Sequence, residues 1–114
     1  MAKILIVEDD EKLRRELKIF LENNGFFVDT LVTFNDSINK IMAKTKDLVL
    51  LDINLPYLNG QIICKELKKL SNTPVVIITS QNTDIDELIS LNYGADDFIV
   101  KPFNLQVFLA RINK

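Results

Sequence analysis

The chain has 114 residues, of which 47% are hydrophobic and 26% are charged. This length and composition predict one globular domain and exclude a disordered chain. The net charge is −2, from 14 basic and 16 acidic residues, which argues against nucleic-acid binding by this chain alone. With no histidine and a single cysteine, Cys64, an internal disulfide and a zinc-type cluster are excluded, and we expect Cys64 to be a buried apolar residue.

Apolar runs in the sequence are all shorter than the roughly 18 residues that a membrane span needs. The first residues also lack the basic and apolar regions of a signal peptide. We therefore expect a cytoplasmic protein that does not associate with membranes.

Short apolar runs alternate five times with segments of helical period. The predicted strands cover residues 3–7, 26–30, 48–52, 74–79 and 98–100. Each is followed by a predicted helix, and the apolar residues of these helices lie within 13–21, 38–42, 63–70, 88–91 and 105–112. Turn or stop signals stand at Asn24-Gly25, Asn59-Gly60 and Gly94.

The first, third and fourth predicted strands are apolar without alternation, which indicates burial on both faces of a parallel sheet. Alternating strands and helices then predict an α/β, doubly wound, flavodoxin-like domain with a five-stranded parallel sheet. The more polar second strand and the short fifth strand suit the two edges, which favours the strand order 2-1-3-4-5.

Polar side chains follow the strands at the edge of the sheet where parallel strands end and ligands bind. Glu8 and Asp9 follow the first strand, Asp52 ends the third, Thr79 ends the fourth and Lys101 follows the fifth. Carboxylates on neighbouring strands repel each other and favour a bound cation. Because the candidate ligands are all oxygen atoms, Mg²⁺ or Mn²⁺ is the expected metal.

Each of these residues also has a purely structural explanation when it is taken alone. Acidic residues favour helix N-termini, where Asp10 can act as a cap, and Thr79 or Lys101 can simply lie at a strand end or in a solvated loop. The coincidence of carboxylates, a hydroxyl and a lysine at one edge favours a functional site.

Four motifs occur in order along the chain: residues 4–10 (ILIVEDD), 47–52 (DLVLLD, with Leu55-Pro56 and Gly60 after it), 74–80 (PVVIITS) and 94–103 (GADDFIVKPF). Together they resemble the receiver domain of two-component response regulators, with the CheY-like fold, over residues 1–114. The last motif most resembles the winged-helix, OmpR/PhoB-like transcription regulators.

The resemblance implies that Asp52 is the phosphoacceptor, which receives its phosphoryl group from a sensor histidine kinase. It further implies that Asp9 and Asp52 bind Mg²⁺ directly together with the backbone carbonyl of Asn54, while Glu8 acts through water. The domain would not be an enzyme in its own right, since it catalyses only its own phosphorylation and slow dephosphorylation.

The same resemblance assigns Lys101 and Thr79 to the phosphoryl oxygens and predicts a cis peptide bond before Pro102. It couples Thr79 to Phe98 as a conformational switch, although most members of the subfamily have tyrosine at this position. Phe98 has no hydroxyl group, so it cannot make the hydrogen bond that a tyrosine would make. The resemblance therefore does not predict the balance between the inward and outward positions of the Phe98 side chain.

Active members of the subfamily form a two-fold dimer through the fourth helix, the fifth strand and the last helix. The corresponding residues here are Leu91, Asp97, Val107, Ala110 and Arg111. Asp97 and Arg111 match one interface ion pair, whereas Val107 stands where glutamate is usual. We therefore expect a dimer that is weaker or differently arranged.

The last predicted helix is shorter than is usual for a receiver domain, so we expect an effector domain outside this chain. DNA binding would reside in that domain only. A single-domain regulator that acts by protein contact is the alternative. A small Mg²⁺-dependent phosphatase with an aspartate nucleophile is disfavoured, because such enzymes usually carry Asp-x-Asp after the first strand and a cap over the site.

Overall fold

The computed structural model describes residues 2–55, 58–79, 92, 94–101 and 104–113. The strands are β1 (Lys3–Val7), β2 (Phe27–Leu31), β3 (Leu48–Asp52), β4 (Asn54–Leu55), β5 (Leu58–Asn59), β6 (Val75–Thr79) and β7 (Asp97–Val100). The helices are α1 (Glu11–Asn23), α2 (Ser37–Ala43), α3 (Gly60–Leu70) and α4 (Leu105–Ile112). The helix predicted around residues 88–91 lies outside the described residues.

Five parallel strands form one sheet in the order β2-β1-β3-β6-β7, which confirms the predicted order 2-1-3-4-5. The predicted strand boundaries agree with the observed ones to within one residue. All five strands run in the same direction, so their carboxyl ends lie along one edge.

The apolar residues of the central strands alternate between two cores, one on each face of the sheet. On β1, Leu5 and Val7 belong to the core that includes Ile41 of α2 and Leu67 of α3. The intervening residues of β1 belong to the core that includes Leu17 of α1 and residues of α4. Burial on both faces explains why these strands read as continuous apolar runs.

Three helices begin with a side chain that caps the free backbone amides. Asp10 accepts a hydrogen bond from the N–H of Leu13 (3.1 Å), which confirms its predicted capping role. Asn104 caps α4 in the same way, and Asn59 caps α3. The interpretation of Asn59-Gly60 as a turn was therefore wrong, because asparagine serves here as a helix cap.

The segment between β3 and α3 differs from the expected loop in one further respect. Asn54 pairs with Asn59, and Leu55 with Leu58, in a short antiparallel hairpin of β4 and β5. Two residues in each strand are too few to show an alternating pattern, so the hairpin could not be predicted from the sequence.

Two apolar residues that the helical pattern placed toward the core are exposed at helix ends. Leu70 ends α3 with 59% of its surface exposed, and Met42 in the last turn of α2 is 37% exposed. Cys64 is buried as predicted, and burial raises the pKa of its thiol to about 11. Within the described residues, none of the helices has the length and apolar character required to cross a membrane.

Candidate functional site

The strand register brings the predicted site residues together at the carboxyl edge of the sheet. Val7 pairs with Leu51, so the next residues, Glu8 and Asp52, lie side by side at the ends of neighbouring strands. On the other side of Asp52, the N–H of Lys101 donates to the carbonyl of Thr79 (2.7 Å). Parallel pairing alone therefore places these residues in one row across β1, β3, β6 and the end of β7.

Three carboxylates form a compact cluster at this edge. One oxygen from each of Glu8, Asp9 and Asp52 lies within 4.8 Å of the others. Glu8 and Asp52 are buried, with 1% and 3% of their surfaces exposed, while Asp9 is open to solvent. Two such charges at this spacing repel by about 3 to 4 kcal/mol at an effective dielectric constant near 20.

Lys101 reaches into this cluster from the end of β7. Its Nζ atom lies 3.1 Å from Oε1 of Glu8, 3.3 Å from Oε2 of Glu8 and 3.5 Å from Oδ2 of Asp52. The pairing of Lys101 with Glu8 was not foreseen from the sequence, since no spacing rule relates residues 93 positions apart.

The pKa values show how poorly the cluster tolerates its negative charge. Burial, together with the neighbouring Asp52, raises the pKa of Glu8 to about 7. Burial and Asp52 also raise the pKa of Asp9. Burial by itself would lower the pKa of Lys101, but the charges of Asp52 and Glu8 outweigh it and raise that pKa.

These properties fit a divalent cation. The donor atoms are carboxylate oxygens, the ligands that Mg²⁺ and Mn²⁺ prefer. Burial and the neighbouring Asp52 raise the pKa values of Glu8 and Asp9, and the positive charge of a metal ion would act against this effect. Receiver domains bind Mg²⁺ at an acidic cluster of this kind.

The backbone carbonyl of Asn54 was the fourth predicted ligand. Asn54 begins β4, two residues after Asp52, and its backbone is held by pairing with Asn59. Its part in metal binding stays a prediction.

Two residues that support the site were missed as site residues. Arg14 in α1 donates from Nη1 to the carbonyl of Glu8 (2.9 Å), which ties the helix to the end of β1. Gly60 lies against the end of β3, where a Cβ atom would collide with the carbonyl oxygen of Asp52 and lie 2.6 Å from the Cα of Ile53. The glycine was visible in the sequence, but this close approach depends on the tertiary fold.

The two proposed switch residues are both buried. Thr79 is fully buried at the end of β6, and Phe98 is 6% exposed in the core that faces α2 and α3. Phe98 therefore points inward in this structure. Movement of Phe98 in response to Thr79 stays a prediction.

The predicted interface residues lie at β7 and α4. Val107 is 52% exposed and Ala110 is also exposed, as the helical pattern of α4 predicted. Arg111 donates from Nη1 to Oδ1 of Asp97 (2.8 Å) within the same chain, so this ion pair already exists in a single protomer. Its contribution to an interface stays a prediction, and Leu91 and Pro102 lie outside the described residues.

Comparisons with known proteins agree with this arrangement. The sequence profile described as the response regulator receiver domain matches residues 4–113. A response regulator named ArlR from Staphylococcus saprophyticus is 43% identical over 112 residues, which are 98% of this chain and 51% of that protein. The chain thus spans about half the length of the curated relatives it matches.

Solved structures show the same fold. A two-component response regulator from Clostridium difficile superposes with a TM-score of 0.92 at 34% identity, covering 99% of this chain and 93% of the other. The BeF₃-activated N-terminal receiver domain of RstA from Klebsiella pneumoniae superposes with a TM-score of 0.91 at 33% identity, covering 97% and 95%.

The fold and the acidic edge define a CheY-like α/β signalling domain. The chain belongs to the response regulator receiver domain family and is the receiver domain of a two-component response regulator. Its relatives agree with the OmpR/PhoB-like subfamily that the last motif indicated.

Proposed function

We propose that this chain is a phosphorylation-activated switch in which Asp52 accepts a phosphoryl group from a sensor histidine kinase. The supporting observation is the position of Asp52: its carboxylate lies between two further carboxylates and the ammonium of Lys101, at the end of a buried strand. Response regulators as a class receive phosphoryl groups from histidine kinases.

In the proposed reaction a carboxylate oxygen of Asp52 attacks the phosphorus atom of a phosphorylated histidine. The bond between phosphorus and the imidazole nitrogen breaks, and an acyl phosphate forms on Asp52. The phosphoryl group stays on the protein's own side chain, so the domain acts as an acceptor and not as a turnover enzyme.

Glu8, Asp9 and Asp52 would hold Mg²⁺ or Mn²⁺. When bound, the ion supplies the positive charge that lets an anionic phosphoryl donor approach three carboxylates. Lys101 can contribute further, because its ammonium already lies 3.5 Å from Asp52 and can bind a phosphoryl oxygen. The hydroxyl of Thr79, at the end of the adjacent strand, can donate a hydrogen bond to another phosphoryl oxygen.

The whole protein is proposed to be a transcription regulator whose DNA-binding domain is controlled by this receiver. The curated relatives are about twice as long as this chain, which leaves room for such an effector domain. A regulator that acts by protein contact alone remains the alternative. Dimerisation through the β7–α4 face would link phosphorylation to output.

Incubation with acetyl phosphate and Mg²⁺, followed by intact-mass measurement, tests the proposal. We expect a gain of one phosphoryl group in the wild type, no gain in Asp52→Asn and a normal gain in Asp47→Asn. Asp47 is a matched control, since it is an exposed aspartate just before the opposite end of β3 that accepts a hydrogen bond from the N–H of Lys3. Equal labelling of Asp52→Asn and the wild type would contradict the assignment.

A further inference from the structure

Two open clefts flank the carboxyl end of β2 at the edge of the sheet, one strand away from the acidic cluster. The first has a volume of about 260 Å³ and is bounded by α1 and β2, and the second has about 380 Å³ and is bounded by β2 and α2. Thr30 and Val32 line both clefts, so they form two sides of one surface. We call them the β2-edge clefts.

The β2-edge clefts are strongly basic in a chain whose net charge is negative. Five of the 14 basic residues line them, against one of the 16 acidic residues, Glu11. The basic residues are Arg14, Arg15 and Lys18 in the first cleft and Lys40 and Lys44 in the second. This concentration of positive charge is suited to an anionic partner.

The positive charges of Lys18 and Lys40 are available for a partner. Within the described part of the chain Lys18 forms no ion pair, and the ammonium of Lys40 contacts two neutral oxygens, from Thr33 and Asn35, both at 2.9 Å. The ion pair of Arg15 with Glu11 is exposed on both sides, so it is weak and exchangeable.

One lysine of this surface already holds a carboxylate of the chain itself. Asp29 in β2 accepts hydrogen bonds from the N–H of Thr30 (2.9 Å) and from Nζ of Lys44 (3.2 Å). Burial would raise the pKa of Asp29, but these hydrogen bonds outweigh it and lower the pKa. Lys44 is therefore paired within the chain, and Lys18 and Lys40 are the cations left to face a partner.

The shape of the β2-edge clefts favours an extended peptide as the anionic partner. In the described part of the chain β2 pairs with β1 alone, so its other edge faces outward. The side chains of an extended peptide alternate between two faces, which matches two clefts on opposite sides of one strand. Val32, 60% exposed between them, offers an apolar contact.

We propose that the β2-edge clefts dock an extended acidic segment of a partner protein. Carboxylates on one face of the segment are bound by Lys18, and carboxylates on the other face are bound by Lys40. This surface adjoins the phosphoryl site through Arg14 and lies at the opposite edge of the sheet from the β7–α4 face. The proposal does not depend on phosphorylation of Asp52.

A fluorescein-labelled peptide of two Glu-Glu-Val-Thr repeats, in which neighbouring glutamates point to opposite faces, is the probe, and fluorescence anisotropy with the full chain is the measurement. We expect binding that weakens as salt is raised, and no binding of the peptide in which glutamine replaces every glutamate. The double variant Lys18→Glu/Lys40→Glu should bind about tenfold more weakly. Amide NMR shifts on titration should be largest near Thr30 and Val32.

The double variant Lys12→Glu/Lys69→Glu is the matched control, because it makes the same charge change on α1 and on α3 outside the clefts. It should bind the peptide within about threefold of the wild type. An equal loss in both double variants would show attraction by net charge only and would overturn the proposal. Absence of binding, or tighter binding of a single-stranded DNA of equal charge, would overturn it as well.

Discussion

The ammonium of Lys101 lies closer to Glu8 than to Asp52, at 3.1 Å from Oε1 of Glu8 and 3.5 Å from Oδ2 of Asp52. The lysine thus neutralises part of the carboxylate cluster where a divalent cation is expected. Two cations that share the same oxygens compete, so metal binding must weaken the pairing of Lys101 with Glu8.

Removal of the charge on Lys101 should therefore strengthen metal binding. We expect Lys101→Met to bind Mn²⁺ about tenfold more tightly than the wild type, a difference of about 1.4 kcal/mol, in a calorimetric titration. Lys69→Met, which removes an exposed lysine from α3, should leave the affinity unchanged. Weaker metal binding by Lys101→Met would show that the lysine assists the metal site.

The raised pKa of Glu8 makes the stability of the metal-free protein depend on pH. The pKa of Glu8 is about 7 in the folded protein and near 4.5 in the unfolded chain, so between these pH values only the folded protein keeps the proton. The free energy of unfolding therefore falls as pH rises from 4.5 to about 7. The raised pKa of Asp9 acts in the same direction. The charged groups that face Glu8 are Asp52 and Lys101. The chain has no histidine that would titrate in this pH range.

With a chelator present, we expect Tm to fall by at least about 4 °C between pH 5 and pH 8. Glu8→Gln should show a smaller fall and should be more stable than the wild type at pH 8, because it removes a buried charge. Asp47→Asn, which changes an exposed carboxylate, should follow the wild type. A Tm that is constant or rises over this range would contradict the prediction.

The position of Gly60 leads to a prediction about the fold around Asp52. A methyl group at Gly60 would collide with backbone atoms of Asp52 and Ile53, which cannot rotate away as a side chain can. Gly60→Ala should lower the free energy of unfolding by about 2 to 3 kcal/mol in urea denaturation. Gln106→Ala, an exposed substitution in the first turn of α4, should change it by less than about 0.5 kcal/mol.

Most of the fold and the row of site residues could be predicted from local sequence signals. Continuous apolar runs revealed the buried strands, and the residues that directly follow them revealed Glu8, Asp52 and Lys101. The details that could not be predicted depend on tertiary contacts: the pairing of Lys101 with Glu8, the hydrogen bond from Arg14 and the packing of Gly60 against β3. The β4–β5 hairpin was too short to leave a pattern.

Arg111 pairs with Asp97 inside one chain, so its substitution affects both the monomer and the expected dimer interface. Arg111 is 46% exposed in this pair, so its loss should cost the monomer no more than about 1 kcal/mol. In a dimer formed through α4 and β7, the same position would also face the partner, and a negative charge there would repel Asp97 of both chains.

We therefore expect Arg111→Glu to abolish or weaken the dimer formed after activation by beryllofluoride, while the monomer stays folded. Sedimentation velocity of the activated protein measures the dimer, and urea denaturation measures the stability of the monomer. Arg15→Glu is the matched control, since Arg15 also forms an exposed ion pair on a helix, but on α1. If the activated Arg111→Glu variant sediments like the wild type, Arg111 has no part in the interface and serves only to join α4 to β7.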